Sequence, residues 1–254
     1  MDRGILVKDF MQQIKRALAI AKKDIQNYYK RGPVIIFGFL TPLFLLMSFL
    51  IGRELEPSML IPSLFGMTVF FSATSIGPAV FPWETRTKTL ERVLSTPITL
   101  WAILLGDVFA SFTFGIVFSI VPLIVGIVLN VSILHPLILI IVIVIGSFCF
   151  SSLSVLLSVP PTDQPHQIMM LSSLIRFPLL FISGVFVPLS QLSDFSRFVS
   201  YISPLTYFTD ISRWITTGVS FLPVWVDVLV LCLFCVALLG LAIILHGKTI
   251  QKRL

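Results

Sequence analysis

Few side chains in this sequence could do chemistry, and their spacing does not match catalytic sites. The three histidines, His135, His166 and His246, lie near the ends of long apolar runs. Cys232 and Cys235 have the spacing of half a zinc site, but no second pair of ligands accompanies them. An enzyme acting within the membrane needs a nucleophile with a base, a metal, or two deep aspartates. The sequence has none of these patterns, which disfavours intramembrane catalysis.

Residues 242–249 (AIILHGKT) satisfy a loose form of the phosphate-binding loop. Such a loop requires a preceding strand, a glycine-rich turn and a following helix. Here the apolar residues form the end of a predicted membrane helix instead. We therefore expect no cofactor and no metal on this chain, and expect the energy for any transport to come from a partner or an ion gradient.

The charged stretch at residues 83–98 is the most informative part of the sequence, because it interrupts two apolar runs and is helix-competent up to Pro97. One face of such a helix is apolar, with Leu90, Val93 and Leu94. The other face is charged, with Glu84, Lys88, Glu91 and Arg92. A short helix of this kind suits docking into a cleft on another protein. A solvated loop is the alternative.

Polar residues inside the apolar runs are the other candidates. Arg176 lies near the middle of one run, where an ionisable side chain usually faces the bundle interior or water. It is a candidate for a substrate pathway or for an ion pair with Asp107, and a snorkelling arginine is the alternative. Ser151 and Ser154 share one helical face, which favours tight helix packing over a pathway.

The composition of the chain indicates the kind of fold that must position these polar residues. The chain has 254 residues, of which 56% are hydrophobic and only 12% charged. A soluble domain carries about 25% charged residues. The chain therefore lacks the polar surface of a soluble fold, and we predict an all-α integral membrane protein, since helices satisfy their own backbone groups in lipid.

Six runs are long enough to span a bilayer as helices. They cover Pro33–Gly52, Leu60–Pro82, Trp101–Leu129, Pro136–Val159, Ile168–Val187 and Pro223–His246. Most of the 18 lysines and arginines fall on one set of flanks, which the positive-inside rule places in the cytoplasm. We expect a multi-pass protein of the cell membrane with both termini cytoplasmic. The placement of the charge argues against nucleic acid as the partner of this basic chain.

Two segments flank or connect the spans. Residues 1–32 predict an amphipathic helix in the inner membrane interface, ahead of a permease domain at residues 33–254. Its basic face would bind anionic lipid or dock a partner, and includes Lys15, Arg16, Lys22 and Lys23. Residues 188–222 are apolar but broken by prolines, and we predict two short helices that enter the outer leaflet without crossing it.

Two motifs resemble those of a known family. The run from Glu84 to Ile98 ends in LERVLSTPI and resembles the cytoplasmic coupling segment of type-2 ATP-binding-cassette (ABC) export permeases. The later runs ISGVFVPLSQL (182–192) and YISPLTY (201–207) resemble the outer re-entrant region of that family. The order of the motifs, the six spans and the basic N-terminal helix match as well. The resemblance is closest to the drug-efflux and oligosaccharide-export branches.

The resemblance implies a half-channel. Two permease chains would pair as a homodimer, and two separate ATPase subunits, which hold ATP and Mg, would dock from the cytoplasm. The coupling residues would be Glu84, Arg86, Lys88, Glu91 and Arg92. The re-entrant region would include Gly184, Pro188, Tyr201, Pro204 and Tyr207. The family often has glycine where this chain has Lys88 or Thr89, which is a departure in the coupling helix.

The substrate expected from the mostly apolar spans is an amphipathic drug, a lipid or a lipid-linked glycan. A gradient-driven transporter or channel is the alternative function. Such transporters often show internal repeats and acidic sites in broken helices. This sequence shows no repeat and few interior acids, so the exporter is favoured.

Overall fold

The computed structural model describes residues 3–50 and 57–250. These residues form α-helices joined by one π-helical and one 3₁₀ segment, with no strand among them. In chain order the α-helices are α1 (Arg3–Tyr28), α2 (Gly32–Ile35), α3 (Thr41–Leu50), α4 (Pro57–Ser75), α5 (Gly77–Arg86), α6 (Thr89–Leu94), α7 (Leu100–Val128), α8 (Pro136–Leu157), α9 (Pro165–Ile182), α10 (Asp194–Ser200), α11 (Pro204–Thr217) and α12 (Val224–Thr249).

The all-helical membrane architecture predicted from composition is confirmed. Within the described residues, five helices are long and apolar enough to cross a bilayer. They are Pro57–Arg86, Leu100–Val128, Pro136–Leu157, Pro165–Ile182 and Val224–Thr249, close to the second to sixth predicted spans. The first predicted span corresponds to α2, a π-helical segment at Ile36–Leu40, and α3. Its predicted end at Gly52 lies outside the described residues.

The second span bends where α4 meets α5. The Gly77 amide donates to Ser154 Oγ on α8 at 2.9 Å, which satisfies a donor that the bend frees. A Cβ at Gly77 would lie 2.6 Å from the Ser154 carbonyl oxygen, so the two backbones touch. Ser151 donates to the carbonyl of Ser147 on its own helix. Ser154 therefore lies in the contact between α5 and α8, whereas Ser151 bonds within its own helix.

The core is a stack of aromatic side chains around α4. Phe70 of α4 meets Phe150 of α8 at 5.2 Å between ring centroids, and Phe150 meets Phe208 of α11 at 5.6 Å. These edge-on pairs stabilise beyond their buried area. Almost the whole of α11 is buried. This short helix therefore belongs to the core of the bundle.

Residues 188–222 contain two short helices, α10 and α11, and their predicted place in the outer leaflet stays a prediction. Pro188 precedes a 3₁₀ turn at Leu189–Gln191, and Pro204 opens α11 at a position where its missing amide is not needed. The hydroxyl of Tyr207 donates to the carbonyl of Tyr201 at 3.0 Å. Gly184 has a φ of 75°, and its carbonyl accepts a hydrogen bond from Arg213 at 3.1 Å. The predicted re-entrant residues thus come together in one folded unit.

The 83–98 segment is two helices rather than one. Between α5 and α6, Lys88 adopts a left-handed conformation with φ 55° and ψ 21°. A residue with a Cβ is strained there, whereas glycine is not. This chain keeps the left-handed turn despite its lysine.

We expect the backbone strain at Lys88 to separate two substitutions. Lys88→Gly should leave the thermal unfolding midpoint in detergent nearly unchanged. Lys88→Val should lower the free energy of unfolding by about 1–2 kcal/mol, because a β-branched residue is disfavoured at positive φ. Arg92→Val, at an exposed helical position, is the control. Equal losses in the two valine variants would show that the turn is not strained.

Candidate functional site

The inward face of α1 is packed onto the first turns of α7. A Cβ at Gly106 would lie 2.6 Å from the Cβ of Ile20 and 2.8 Å from the carbonyl oxygen of Ala17, so glycine permits this close approach. The hydroxyl of Tyr29 donates to the carbonyl of Ala110 at 2.7 Å. Gly106 and Ala110 of α7 therefore lie on the surface against which α1 packs. We call the end of the bundle that carries α1 and the 83–98 segment the basic end.

α1 also bonds to both limits of the 83–98 segment. Near the far limit, Gln13 Nε2 donates to the carbonyl of Pro97 at 3.2 Å, and Gln13 Oε1 accepts from the amide of Thr99 at 3.1 Å. Arg16 donates to the same Pro97 carbonyl. At the near limit, Lys23 forms an ion pair with Glu84. A displacement of this segment must therefore pull on α1.

Three carboxyl groups and one lysine are enclosed where α1, α5 and α7 meet. Asp24 is 0% exposed, Asp107 is 1% exposed and Glu84 is 3% exposed. Lys23 Nζ also lies 3.2 Å from Asp24 Oδ1. No aligned hydrogen-bond donor of the described chain reaches the oxygens of Asp24 or Asp107, yet the two carboxyls approach each other closely. The carboxyls of Asp24 and Asp107 therefore lie together in the contact between α1 and α7.

The surroundings of α1 shift the pKa of both Lys23 and Asp24. Burial lowers the pKa of Lys23, but the carboxylates of Asp24, Glu84 and Asp107 outweigh burial and raise the pKa above its usual value. Burial raises the pKa of Asp24, although Lys23 opposes the shift. Lys23 therefore stays charged at physiological pH, and Asp24 binds a proton more readily than an exposed carboxyl does.

The structure separates the predicted docking residues into two groups. The exposed group is Lys15, Lys22, Arg86, Lys88 and Arg92, with Glu91 partly exposed. The inward group is Arg16, Lys23 and Glu84, all engaged within the chain. Glu84, predicted as a surface contact, lies inside the α1–α5 contact, because Lys23 pairs with it there. It positions the segment and presents no free carboxylate to a partner.

Arg176 is fully buried in the middle of α9, without the predicted aspartate. In the described chain it forms no ion pair with Asp107, which faces Asp24 instead. Its Nε donates to the Ser172 carbonyl at 3.4 Å and its Nη2 to Ser173 Oγ at 3.5 Å. Its Nη1 has no hydrogen-bond partner. The guanidinium is thus only weakly satisfied.

Two aromatic rings also contact the Arg176 guanidinium and partly stabilise its buried charge. The Arg176 guanidinium carbon lies 5.3 Å from the ring centroid of Phe37 and 5.8 Å from that of Phe71. A cation–π contact contributes about 0.5–2 kcal/mol, whereas burying an ion costs several kcal/mol. The rings offset only part of the cost of burying this charge.

Asp24 is the site residue that sequence reasoning missed. Two apolar side chains of α1, Met11 and Leu18, are exposed. The face that is buried contains Ala17, Ile20, Ala21, Asp24 and Tyr28. Asp24 is spaced from Ala17, Ile20 and Ala21 as residues on one helical face are, and this spacing could have predicted that Asp24 is buried with them.

Two other sequence patterns do not form ligand sites. Residues 242–249 continue α12 as helix, so they do not form a phosphate-binding loop. In the part of the chain that the structure describes, no three histidine, cysteine, aspartate or glutamate side chains are placed to hold a metal ion.

A comparison with known protein families shows to which family the chain belongs. The family model of the ABC-2 type transporter matches residues 15–217, from the first half of α1 to the end of α11. The chain belongs to the ABC-2 type transporter family. Among curated proteins, no sequence matches the chain.

Membership makes this ABC-2 protein a permease subunit of an ABC transporter, with a multi-pass location in a membrane. Its family role is transport rather than catalysis, and the family implies an ABC ATPase as partner. The resemblance read from residues 84–98 and 182–207 is confirmed at the level of the family. The branch within the family stays a prediction.

Proposed function

We propose that this ABC-2 permease is the membrane half of an exporter. Two copies form the pathway, and two separate ATPase subunits, which hold ATP and Mg, dock at the basic end. Each copy crosses the cell membrane six times and keeps both termini in the cytoplasm. The exported molecule is an amphipathic drug, a lipid or a lipid-linked glycan.

The bonding of α1 to both limits of the 83–98 segment carries this proposal. Gln13 and Arg16 engage the Pro97–Thr99 limit, and Lys23 engages Glu84. α1 in turn packs against α7 at Gly106. A push on the segment by an ATPase therefore reaches two spans at once, through α5 directly and through α1 to α7.

The exposed charges of the basic end support docking of an acidic protein surface. Lys15 and Lys22 of α1 and Arg86, Lys88 and Arg92 of the 83–98 segment all remain accessible. Facing charges of opposite sign speed association and set the orientation of the partner. Helix α1 thus both bonds to the 83–98 segment and forms part of the docking surface.

The surface of α9 supports pairing with a second copy. This helix is the least apolar of the five long apolar helices, yet it exposes Met170, Leu174 and Phe181. A helix facing lipid is normally more apolar than this one. We assign the end of α9 around Phe181 to the contact between the two permease chains, whereas the face with Met170 and Leu174 stays accessible to the bilayer.

Charge reversal at Glu91 tests the docking surface. Glu91→Arg should abolish ATPase activity that depends on transport while leaving membrane insertion intact, because it places a like charge beside Arg92 at the contact. Insertion is followed by membrane fractionation and coupling by ATPase assay of the reconstituted complex. Normal coupled turnover in this variant would contradict the role of the segment.

Isolation of the partner is the direct experiment. The tagged chain is purified from its native membrane in mild detergent, with and without a crosslinker, and copurifying chains are identified by mass. A stoichiometric ATPase supports the exporter. Absence of an ATPase under both conditions, with ion flux in the absence of ATP, would favour a gradient-driven carrier or channel.

A further inference from the structure

A groove of about 590 Å³ opens at the basic end, between the start of the first span, α5 and α9. Its walls are largely apolar, and Arg86 at its mouth bears a positive charge. The lining includes Ile36, Phe37, Trp83, Arg86, His166 and Met169. Arg31 lies over the Trp83 ring at 4.5 Å from its centroid, which adds a second arginine beside the mouth.

The buried cation of α9 lies directly behind this groove. Phe37, which lines the groove, is one of the two rings over the Arg176 guanidinium. Ser173 lines it too, and its hydroxyl is the acceptor for Arg176 Nη2. Arg176 Nη1 is buried without a partner, and no described carboxylate pairs with it. In surroundings of low dielectric constant, its charge makes the wall of the groove positive.

The backbone is irregular where the groove meets the first span. Residues Ile36–Leu40 form a π-helical turn, and the Thr41 amide closes it by bonding to the Ile36 carbonyl. Such turns occur frequently at functional sites. Gly38 on the other side of this turn packs against Phe114, with no room for a Cβ. The turn therefore holds Ile36 and Phe37 on the groove side while Gly38 anchors the helix to the bundle.

A second depression continues the groove along α9. It measures about 440 Å³ and is lined by apolar side chains that include Leu174, Phe177 and Pro178. Met170 and Ser173 line both cavities, so the second depression lies next to the groove along α9. A positively charged mouth followed by an apolar depression matches an acidic head with a hydrocarbon tail.

We propose that this groove binds an amphiphilic anion from the bilayer, with its acidic head between Arg86 and Arg176 and its hydrocarbon tail along α9. Rotation of Phe37 away from Arg176 brings the guanidinium into direct contact with the head. The anion supplies the counter-charge that Arg176 lacks within the chain. That this occupant is also the exported molecule rests on the proposed function, whereas the binding itself does not.

Quenching of Trp83 fluorescence tests the binding. The full-length chain, with Trp101, Trp214 and Trp225 replaced by phenylalanine, is placed in phosphatidylcholine nanodiscs without ATP or ATPase. A minor fraction of the lipid is brominated phosphatidylglycerol in one sample and brominated phosphatidylcholine in the other. We expect the anionic lipid to be enriched at Trp83 by roughly tenfold, as for one charge-assisted contact.

Four variants identify the cause of the enrichment. Arg176→Gln should remove the preference for phosphatidylglycerol, and Arg176→Lys should keep most of it. Ser173→Leu fills the groove and should reduce quenching by both lipids. Arg197→Gln is the control, because Arg197 also lies over an aromatic ring, that of Phe221, but within residues 188–222.

Two results would overturn the inference. One is equal quenching by the two brominated lipids in the starting protein, which would make the groove an ordinary lipid-packing surface. The other is a preference that survives in a folded Arg176→Gln variant. Neither result bears on whether an ATPase copurifies, so the inference and the proposed function fail separately. If dodecyl phosphate in turn stimulates the ATPase of the reconstituted complex, the bound anion is on the transport path.

Discussion

Replacing Lys23 by methionine is expected to lower the free energy of unfolding by about 3 kcal/mol and to abolish coupling between ATPase and transport. The substitution keeps the length of the side chain but leaves Glu84, Asp24 and Asp107 without their only close cation in the described chain. Removing one partner from a buried ion pair typically costs about 3–5 kcal/mol. The partial exposure of Lys23 places this case at the lower end. Thermal unfolding in nanodiscs and ATPase assays of the complex measure the two effects.

The neighbouring lysine supplies the control. Lys22→Met removes an exposed charge from the same helix and should change stability little. The double variant Lys23→Met with Glu84→Gln should recover most of the lost stability, because no unpaired charge is then left at position 84. It should not restore coupling between ATPase and transport, because the ion pair that joins α1 to the 83–98 segment is still missing. If the two lysine variants behaved alike, the buried ion pair would have no role.

Gly77→Ala is the second change for which we expect a large effect. The added Cβ would meet the backbone oxygen and carbon of Ser154, at 2.6 and 2.8 Å, and backbone cannot rotate away as a side chain can. α5 would have to move off α8, and the bond from the Gly77 amide to Ser154 would lengthen or break. We expect a loss of about 3 kcal/mol, the upper end for overpacking, seen as a lower unfolding midpoint.

A matched glycine on α12 separates this clash from a general effect of alanine. Nothing lies within 4 Å of a Cβ placed at Gly240. Gly240→Ala should therefore stabilise the helix slightly, because alanine has the higher helix propensity. Ser154→Ala should cost less than Gly77→Ala, since it removes the hydrogen bond without the clash. Tolerance of Gly77→Ala would mean that α5 and α8 are not held in contact.

The long helices were predictable because the thickness of the bilayer sets the length of each apolar run. The third and sixth spans, predicted at 101–129 and 223–246, occur at Leu100–Val128 and Val224–Thr249. The two helices within residues 188–222 followed from Pro188 and Pro204, which restrict where a helix can begin. The break in the first span was not predictable, because the π-helical turn depends on packing of Gly38 against Phe114 from another helix.

The partners of the charged residues could not be read from the sequence. Asp107 and Arg176 were paired because both lie inside apolar runs, but this reasoning ignores which face of each helix they occupy. Glu84 was placed on the surface because its neighbours in sequence are polar. Its partner, Lys23, lies 61 positions away, a separation at which no local pattern specifies contact. The burial of the carboxyl groups is thus a product of tertiary packing.

The position of α1 has a consequence for the order in which the chain is made. The bonds from Arg16 to Pro97 and from Tyr29, directly after α1, to Ala110 each span 81 positions, so this helix is synthesised well before the residues that hold it. At roughly 5–20 residues per second, α1 waits for roughly 4–16 s. During that interval Lys23 and Asp24 have no neighbours from α5 or α7, and an amphipathic basic helix can rest on the membrane surface. The composition of α1 therefore serves the nascent chain as well as the finished permease.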